Sequence, residues 1–552
     1  MPTAADNGTA VGARGVDVVV VGAGFAGLYA LHRLRGLGLS VKVVEAGSDL
    51  GGTWFWNCYP GARCDVESLD YSYSFSQELE QEWHWTERYP GQPEVLRYLN
   101  HVAERFDLRR DIQFHTLVTR MDYDEARRRW TVHSDAGETW DAHVVVMCTG
   151  CLSASQVPPI GGLERFTGHW YHTARWPKEG VDFTGQRVGV VGTGSTAIQL
   201  VPQIAPHVAH LYVFQRTANY SVPNGNHPLD PEREREVKSR YPEYREEARR
   251  SILGVPLAGT GRSALHDTPE QREATYRALW QKGGGMPLLT SYVDLLLDER
   301  ANETVAQFIR DRIAETVQDP ATAELLTPRT YPVGAKRLCQ DEGYFDTFNR
   351  ENVTLVDIRT SPIVAATPAG LQTTAGSYEL DAIVFATGFD AVTGALTRID
   401  IRGRGGRTLR EAWRDGPQAY LGLAICGFPN LLLVTGPGSP SVLSNVVVSI
   451  EQHVDWIADL LVFASERQIE EIEAQRDAQA RWAEHVHEVS RQTLFPRADS
   501  YYIGANVAGK PRVFMPYAGG VAAYRDRCEA VAAAGYEGFS FNQQLSGAAR
   551  PA

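Results

Sequence analysis

Long apolar runs are missing from this sequence. No window of the 552 residues reaches eighteen uninterrupted apolar positions, the length that a hydrocarbon core demands; the best candidate, YLGLAICGFPNLLLVTG, is broken by Gly427 and Pro429. A membrane span is therefore not expected. The opening MPTAADNGTAVGARG has no basic end, no apolar stretch and no small-residue cleavage site, so export is not expected either and the segment reads as a disordered lead-in. Cysteine is sparse: seven residues, an odd number scattered along the chain, fit reduced thiols in a cytoplasm better than a disulfide framework. Positive charge is in deficit, with 54 Lys and Arg against 67 Asp and Glu. The formal net charge of -13 argues against a nucleic-acid partner held through its phosphates, yet leaves room for a local basic patch around a small phosphorylated ligand.

What is present points to several soluble domains. A chain of 552 residues exceeds a single core, and its 43% hydrophobic and 22% charged shares are ordinary for globular proteins. VDVVVV, Val16 to Val21, is a β-branched run of the kind buried on both faces of a parallel sheet. GAGFAG follows, then LYALHRLRGLGL with helical spacing, then VKVVE ending at Glu45. This strand, turn, helix, strand order is the dinucleotide-binding unit: Gly22 permits the tight turn, Gly24 lets the backbone approach a pyrophosphate, Gly27 packs helix on strand, and Glu45 is placed for a ribose diol. A second unit runs from QRVGVVGTGSTAIQLVPQIA to LYVFQR, with Gly192, Gly194 and Ala197 in the three loop positions. It ends on Arg216, which suits the 2′-phosphate of NADPH, whereas the acid of the first unit suits FAD. The residues alone thus predict an α/β flavin-dependent oxidoreductase with two Rossmann-like dinucleotide-binding domains.

Between them, CTGC (Cys148 and Cys151) has the spacing of a redox pair, but it closes the apolar run HVVVM and reads as a strand end with incidental cysteines. Residues 219–332 are rich in Arg and Glu, and EREREVKSRYPEYREEARRS and VAQFIRDRIAETV have the spacing of amphipathic helices, so a helical insertion is expected. Strand signals return in NVTLVDI and AIVFATG, and the latter is expected to help finish the sheet begun at Val16. The expected division is 1–145 with 385–552 for FAD, 150–218 with 333–384 for NADP, and 219–332 for the insertion.

The connector between the two loops carries a more specific signal. FTGHWYHTARW contains Phe166, Gly168, His172 and Trp176 in the order F-x-G-x-x-x-H-x-x-x-W, and GTWFWNCYPGARCD supplies Gly52, Trp54, Tyr59, Pro60, Gly61 and Asp65. Together these resemble the type I Baeyer-Villiger monooxygenases, most closely the phenylacetone monooxygenase branch. The resemblance implies that NADPH reduces FAD, that dioxygen adds to the flavin as a C4a-peroxide, and that this attacks a ketone to give an ester or lactone; flavin-dependent N- or S-oxygenation is the alternative. By resemblance Arg337 is the active-site cation and Asp65 the acid that orients it, while His172 is a hinge between domains and Phe166 and Trp176 are packing anchors. Thr53, Trp54, Asp65 and Tyr71 join Gly22, Gly24, Gly27 and Glu45 around FAD. Thr193, Gly194, Ser195, Thr196, Ala197, Gln199, Arg216, Thr217, Lys336, Arg337 and Tyr501 surround NADP. Val66, Leu152, Ser441, Val442, Leu443 and Val446, with Thr53 close by, line a site for a small apolar ketone. The cysteines already favour a cytoplasmic setting, and a monomer or weak oligomer is expected. Two positions depart from the family pattern: Cys58 and Tyr501 stand where arginine and tryptophan are common.

Overall fold

The computed structural model describes residues 14–543. Strand β1 spans Arg14–Val21, so the last two residues of the expected lead-in already belong to a strand; the remainder of that lead-in lies outside the described residues. Helix α1 (Phe25–Gly36) and β2 (Val41–Val44) complete the first unit. Val18 to Val21 are all buried because β1 runs between two parallel neighbours and is covered on both faces. Beyond β2 lies β3 (Ile112–Gln113), and β4 (Val118–Asp124), β5 (Arg129–Ser134) and β6 (Thr139–Met147) form a meander that brings β6 back beside β1.

The second unit is a separate parallel sheet. Its strands are β7 (His169–His172), β8 (Arg187–Val191), β9 (His210–Gln215), β10 (Val353–Asp357) and β11 (Ala382–Phe385), ordered β10-β9-β8-β11-β7. Helix α2 (Ser195–Ile204) follows β8. Between β9 and β10 the chain is mostly helical, including Pro231–Ser239, Tyr241–Arg249, Pro269–Lys282 and Glu299–Thr316. The Arg- and Glu-rich run is two helices and not one, because Pro242 falls in the first turn of the second, where its missing N–H costs nothing. The segment also contains a strand, Ser221–Pro223, paired in parallel with Cys339–Asp341, which ties its two ends together.

One expectation is corrected. The strand in AIVFATG does not finish the first sheet: it is β11, inserted between β8 and β7 of the second. The first sheet is completed by β12 (Asp400–Arg402) on β4 and β13 (Leu431–Leu433) on β6. A four-residue apolar strand has the same pattern in either sheet, and its neighbour is decided by the connector, which supplies β7 as its second partner. Helix α3 (Val446–Glu466) then packs against α1, where the Tyr29 hydroxyl donates to Asp455 at 2.7 Å and Arg33 pairs with the same carboxylate at 3.2 Å. Early and late parts of the described chain thus meet in one unit. Among the described residues no helix is long and apolar enough to cross a membrane.

The helical segment docks on the first unit through buried charge. Arg245 and Glu80 pair at 2.8 Å with both side chains 5% exposed, and Arg245 also donates to the Ser72 hydroxyl at 2.7 Å. Such a pair needs both members, since removing either strands the other without water. Asp70 lies in the same layer, its backbone carbonyl accepting from Arg245 and from Asn445, the residue that caps α3. One oxygen of its buried carboxylate lacks a hydrogen-bond partner. Burial first, then the charge of Glu67, raise its pKa from the ordinary 3.8 to about 7, against the opposing pull of Arg245. A carboxyl raised on folding binds its proton more tightly in the folded state, so its contribution is full below pH 3.8 and is lost as pH climbs toward 7. Asp70→Asn removes that loss. Its thermal midpoint relative to wild type should therefore rise between pH 4.5 and 8, by the equivalent of up to about 4 kcal/mol, and a difference that does not change with pH refutes the assignment.

Candidate functional site

Two glycine turns open the two units in the same way. Gly22 has φ +103° and Gly192 φ +113°, and a Cβ on either would lie 2.6 Å from the Cys148 carbonyl oxygen or 2.5 Å from that of Ala386. Only glycine satisfies both the angle and the approach. The helices that follow, α1 and α2, begin at Gly24 and Gly194, which carry no capping side chain, so the first-turn N–H groups have no side-chain acceptor. A Cβ at Gly194 would meet nothing of the protein, so the space there is open. Glu45 at the end of β2 accepts the N–H of Ala23 and of Gly47, each at 2.7 Å, leaving lone pairs on both oxygens for hydroxyl donors. Burial raises its pKa and the two N–H groups counteract it. These features fit a dinucleotide at each loop.

The far end of the second loop is cationic. Burial first, and the charge of exposed Arg216 second, depress the Lys336 ammonium below its usual value, and among the described residues no carboxylate lies within ion-pair distance of either side chain. Two like charges held close, with the Asp499 carboxylate acting on Lys336 only from beyond ion-pair distance, fit a phosphate. The Thr193 hydroxyl donates to the Thr217 carbonyl at 2.9 Å, folding the segment after β9 over the loop. Ser195 sits 3.1 Å from the Cys339 sulfur, and Ala197 is fully buried against the sheet. The Gln199 amide accepts from the Tyr59 hydroxyl at 2.9 Å and donates to the Arg63 carbonyl at 3.1 Å, joining the NCYPGARCD segment to α2. Thr196 reaches the same tyrosine hydroxyl.

Asp65 and Arg337, 272 positions apart, form a two-point ion pair: Nε donates to one carboxylate oxygen at 2.8 Å and Nη2 to the other at 2.6 Å. The remaining Nη1 donates to the backbone carbonyl of Val442 at 2.8 Å. Both side chains are about a quarter exposed, 25% and 28%, so the pair faces open space while its geometry is fixed. Burial works against the guanidinium, but the Asp65 charge and hydrogen bond together with Tyr501 and Tyr502 outweigh it, and the pKa stands above the ordinary value. Nearby, the buried Trp54 indole donates to the Tyr71 hydroxyl at 3.2 Å, and exposed Thr53 opens the short helix Thr53–Trp56. Val66 follows Asp65 into the core, while Val442, whose carbonyl holds Arg337, and Leu443 and Val446 after it are half-buried against the same core. Leu152 and Tyr501 each pack on the small cluster of Ala391, Val392 and Met515. Ser441 is buried, with its hydroxyl toward Cys151.

The connector forms β7, an edge strand. Gly168 precedes it where a Cβ would lie 2.2 Å from the Asp381 carbonyl oxygen, and Phe166 and Trp176 are buried in separate apolar clusters. His172 is buried, and its Nδ1 accepts the Ala174 N–H at 3.1 Å. The proton therefore sits on Nε2, which donates to the Gln156 carbonyl at 3.2 Å. Burial lowers its pKa, keeping the ring neutral. Gln156 and Thr387 belong to the two chain crossovers between the units, which run side by side: the Thr387 hydroxyl donates to the same Gln156 carbonyl at 2.5 Å, and Asp390 N–H to Ala154 at 2.8 Å. His172 thus rests on the joint between the sheets.

Three participants were not expected. Gln340 donates to the Asp65 carbonyl at 3.0 Å, and its position three residues past Arg337 was the available signal. Tyr502 lies edge-on to Tyr501 at 4.6 Å, close enough to Arg337 to feel its charge. The Val442 carbonyl is backbone, which no residue pattern reveals.

The flavin-binding monooxygenase-like family model matches residues 15–224. A Baeyer-Villiger monooxygenase of Pseudooceanicola batsensis is 42% identical over 534 residues, 96% of this chain and 97% of that one. Among solved structures, an oxidised steroid monooxygenase bound to NADP superposes with a TM-score of 0.92 at 52% identity, covering 96% of this chain and 100% of that chain. OTEMO in complex with FAD and NADP superposes with a TM-score of 0.92 at 39% identity, covering 96% of this chain and all of the other.

Proposed function

Because the chain belongs to the Baeyer-Villiger monooxygenases, sharing 42% of its residues with one of them across 96% of its length, we propose how its own side chains divide the work of that reaction. It is an FAD-dependent enzyme that consumes NADPH and dioxygen to convert ketones into esters or lactones. When bound, FAD supplies the activation of dioxygen and NADPH the electrons. The rest falls to the protein.

Residues 1–145 and 385–552 are assigned to the FAD unit, 150–218 and 333–384 to the NADP unit, and 219–332 to the insertion. The helix N-termini at Gly24 and Gly194 take the two pyrophosphates, Glu45 the ribose of FAD, and Arg216 with Lys336 and Thr217 the 2′-phosphate of NADPH. Thr53, Trp54 and Tyr71 complete the FAD surroundings; Thr193, Ser195, Thr196, Ala197, Gln199 and Tyr501 those of NADP. Arg337 is the catalytic cation: it places a permanent positive charge where negative charge develops as the carbonyl is attacked, and a guanidinium never surrenders that charge to a neighbour. Asp65 holds it in one orientation. The single observation that carries this reading is the two-point pair closed by the Val442 carbonyl, since it fixes the cation to the turn that carries the half-buried Val442 and Leu443 and leads to Val446. That apolar lining favours ketones with uncharged cyclic bodies. His172 keeps the crossovers aligned while the nucleotide moves, and transfers no proton. The seven free cysteines support a cytoplasmic setting, and a monomer or weak oligomer is assigned, to be checked by gel filtration.

Incubation with NADPH, a ketone panel and labelled dioxygen should yield esters carrying one labelled oxygen atom; no labelled ester from any cyclic or acyclic ketone removes the reading, and sulfide turnover in its place reassigns the enzyme to heteroatom oxygenation. Arg337→Ala should lower ester formation by a factor of about 10² to 10³ while anaerobic flavin reduction by NADPH persists, and an unaltered ester rate sinks the role of Arg337. For the phosphate cluster, the Arg216→Ala, Lys336→Ala double variant should raise the KM for NADPH by about tenfold or more, as loss of some 1.4 kcal/mol requires, with the KM for NADH nearly unmoved. Equal changes for both nucleotides would dismiss that site.

A further inference from the structure

Ten described residues other than glycine adopt positive φ, and three of them, Val392 at +66°, Thr435 at +58° and Ser441 at +43°, are bonded to one side chain or its backbone, Cys151. Two of the three are β-branched, for which this region is strained and persists only where the surroundings impose it. Val392 donates its N–H to the Cys151 carbonyl at 2.8 Å. The Cys151 sulfur lies 3.4 Å from the Thr435 carbonyl oxygen and 2.9 Å from the Ser441 hydroxyl. The sulfur lies 3.4 Å from the Thr435 hydroxyl as well, so one thiol touches both oxygens of Thr435 and the Ser441 hydroxyl; the Thr435 carbonyl only accepts, and it takes the thiol hydrogen when the Ser441 hydroxyl donates to the sulfur. Thr435 is pinned from its other side by the fully buried His453, whose Nδ1 accepts the Thr435 N–H at 3.0 Å. Ser441 begins the turn Ser441–Leu443, and the next residue, Val442, gives its carbonyl to Arg337.

We propose that Cys151 is a positioning residue for ketone oxygenation: its thiol clamps the Ser441–Leu443 turn against Thr435 and so fixes the carbonyl that holds Arg337 in place. The CTGC spacing read as incidental has this use for its second cysteine, while Cys148 is buried in the core of the first unit; both thiols are free. Sulfur suits the place because one large atom spans two partners at 2.9 and 3.4 Å. The location also matters. Cys151 stands where the first crossover leaves the first unit, so the turn that lines the substrate site is registered to the joint between the units.

This inference rests on the reading of Arg337 given above, and its test separates the two. In FAD-loaded enzyme, Cys151→Ala should raise the KM for a ketone about five- to tenfold and the NADPH consumed without ester about threefold, with anaerobic flavin reduction within twofold of wild type, because the clamp touches the substrate turn and not the nucleotide loops. Cys151→Ser, which keeps a donor and an acceptor, should recover most of both losses. Amide hydrogen exchange in residues 441–444 should accelerate about tenfold in the alanine variant and remain near wild type in the serine variant. Wild-type KM, coupling and exchange in Cys151→Ala, or a serine variant no better than alanine, overturn the proposal. If the wild-type enzyme forms no ester from any ketone, the reaction assigned above falls, and the exchange comparison still decides whether the thiol holds the turn.

Discussion

The bond between Arg337 and Asp65 is the constraint on which the rest of the structure depends. A guanidinium is useful beside a reacting carbonyl only if its charge is both permanent and fixed, and a long side chain facing open space has no reason to remain fixed by itself. Three contacts remove its freedom: two to the carboxylate and one to the Val442 carbonyl. Asp65 is steadied in turn, since Gln340 holds its carbonyl from the strand that follows Arg337. These residues come from the segment after the first glycine loop, the stretch that follows the helical insertion and the turn before α3. No stretch of sequence contains them all; only the long return of the chain to the first sheet brings them together.

That return requires two crossovers between the sheets, and they define how the units relate. Residues 151–156 and 387–392 pair side by side, so the joint has the local hydrogen bonding of a two-stranded ribbon and not of a loose linker. His172 rests on this ribbon as a neutral ring with one N–H given and one lone pair filled. A histidine so committed cannot exchange protons freely, but it can register β7 against the joint. The connector therefore touches both units, through a strand edge in one and a hydrogen-bonded ring on the joint.

Much of this was legible because some chemistry must be written in adjacent residues. A glycine at φ above 100°, a helix N-terminus and an acid one strand later form a contiguous pattern, so both nucleotide units could be read directly from GAGFAG and GTGSTA. The helical insertion was readable from its charge and period, although its short strand at Ser221–Pro223 was not, since three residues carry no period. The partner of AIVFATG was misread for a related reason: an apolar strand encodes burial and not address. Backbone participants were beyond reach altogether. The Val442 carbonyl and the strained angles at Val392, Thr435 and Ser441 are produced by packing, and valine and threonine in those positions argue against a left-handed backbone until the contacts that impose it are seen.

The two departures from the family pattern show how charge and shape can be kept while residues change. Cys58 occupies a position where arginine is common, and removing a cation beside the segment that leads to Asp65 would alter its field. Lys178, from the end of the connector, brings its ammonium over the Phe55 ring at 3.8 Å and to 3.5 Å from the Cys58 sulfur, with the Phe55 carbonyl as acceptor. A cation is thus present at this place, delivered from a side chain 120 positions away and stabilised by the ring face beneath it. Tyr501 stands where tryptophan is common, and its ring still meets Tyr502 edge-on and packs on the cluster of Ala391, Val392 and Met515, so an aromatic face is kept there. The hydroxyl is the difference: in a buried setting it must find a partner, and Tyr502 supplies one. What persists at both positions is the physical requirement, a positive charge in one and a flat apolar face in the other, while the side chain that meets it has changed.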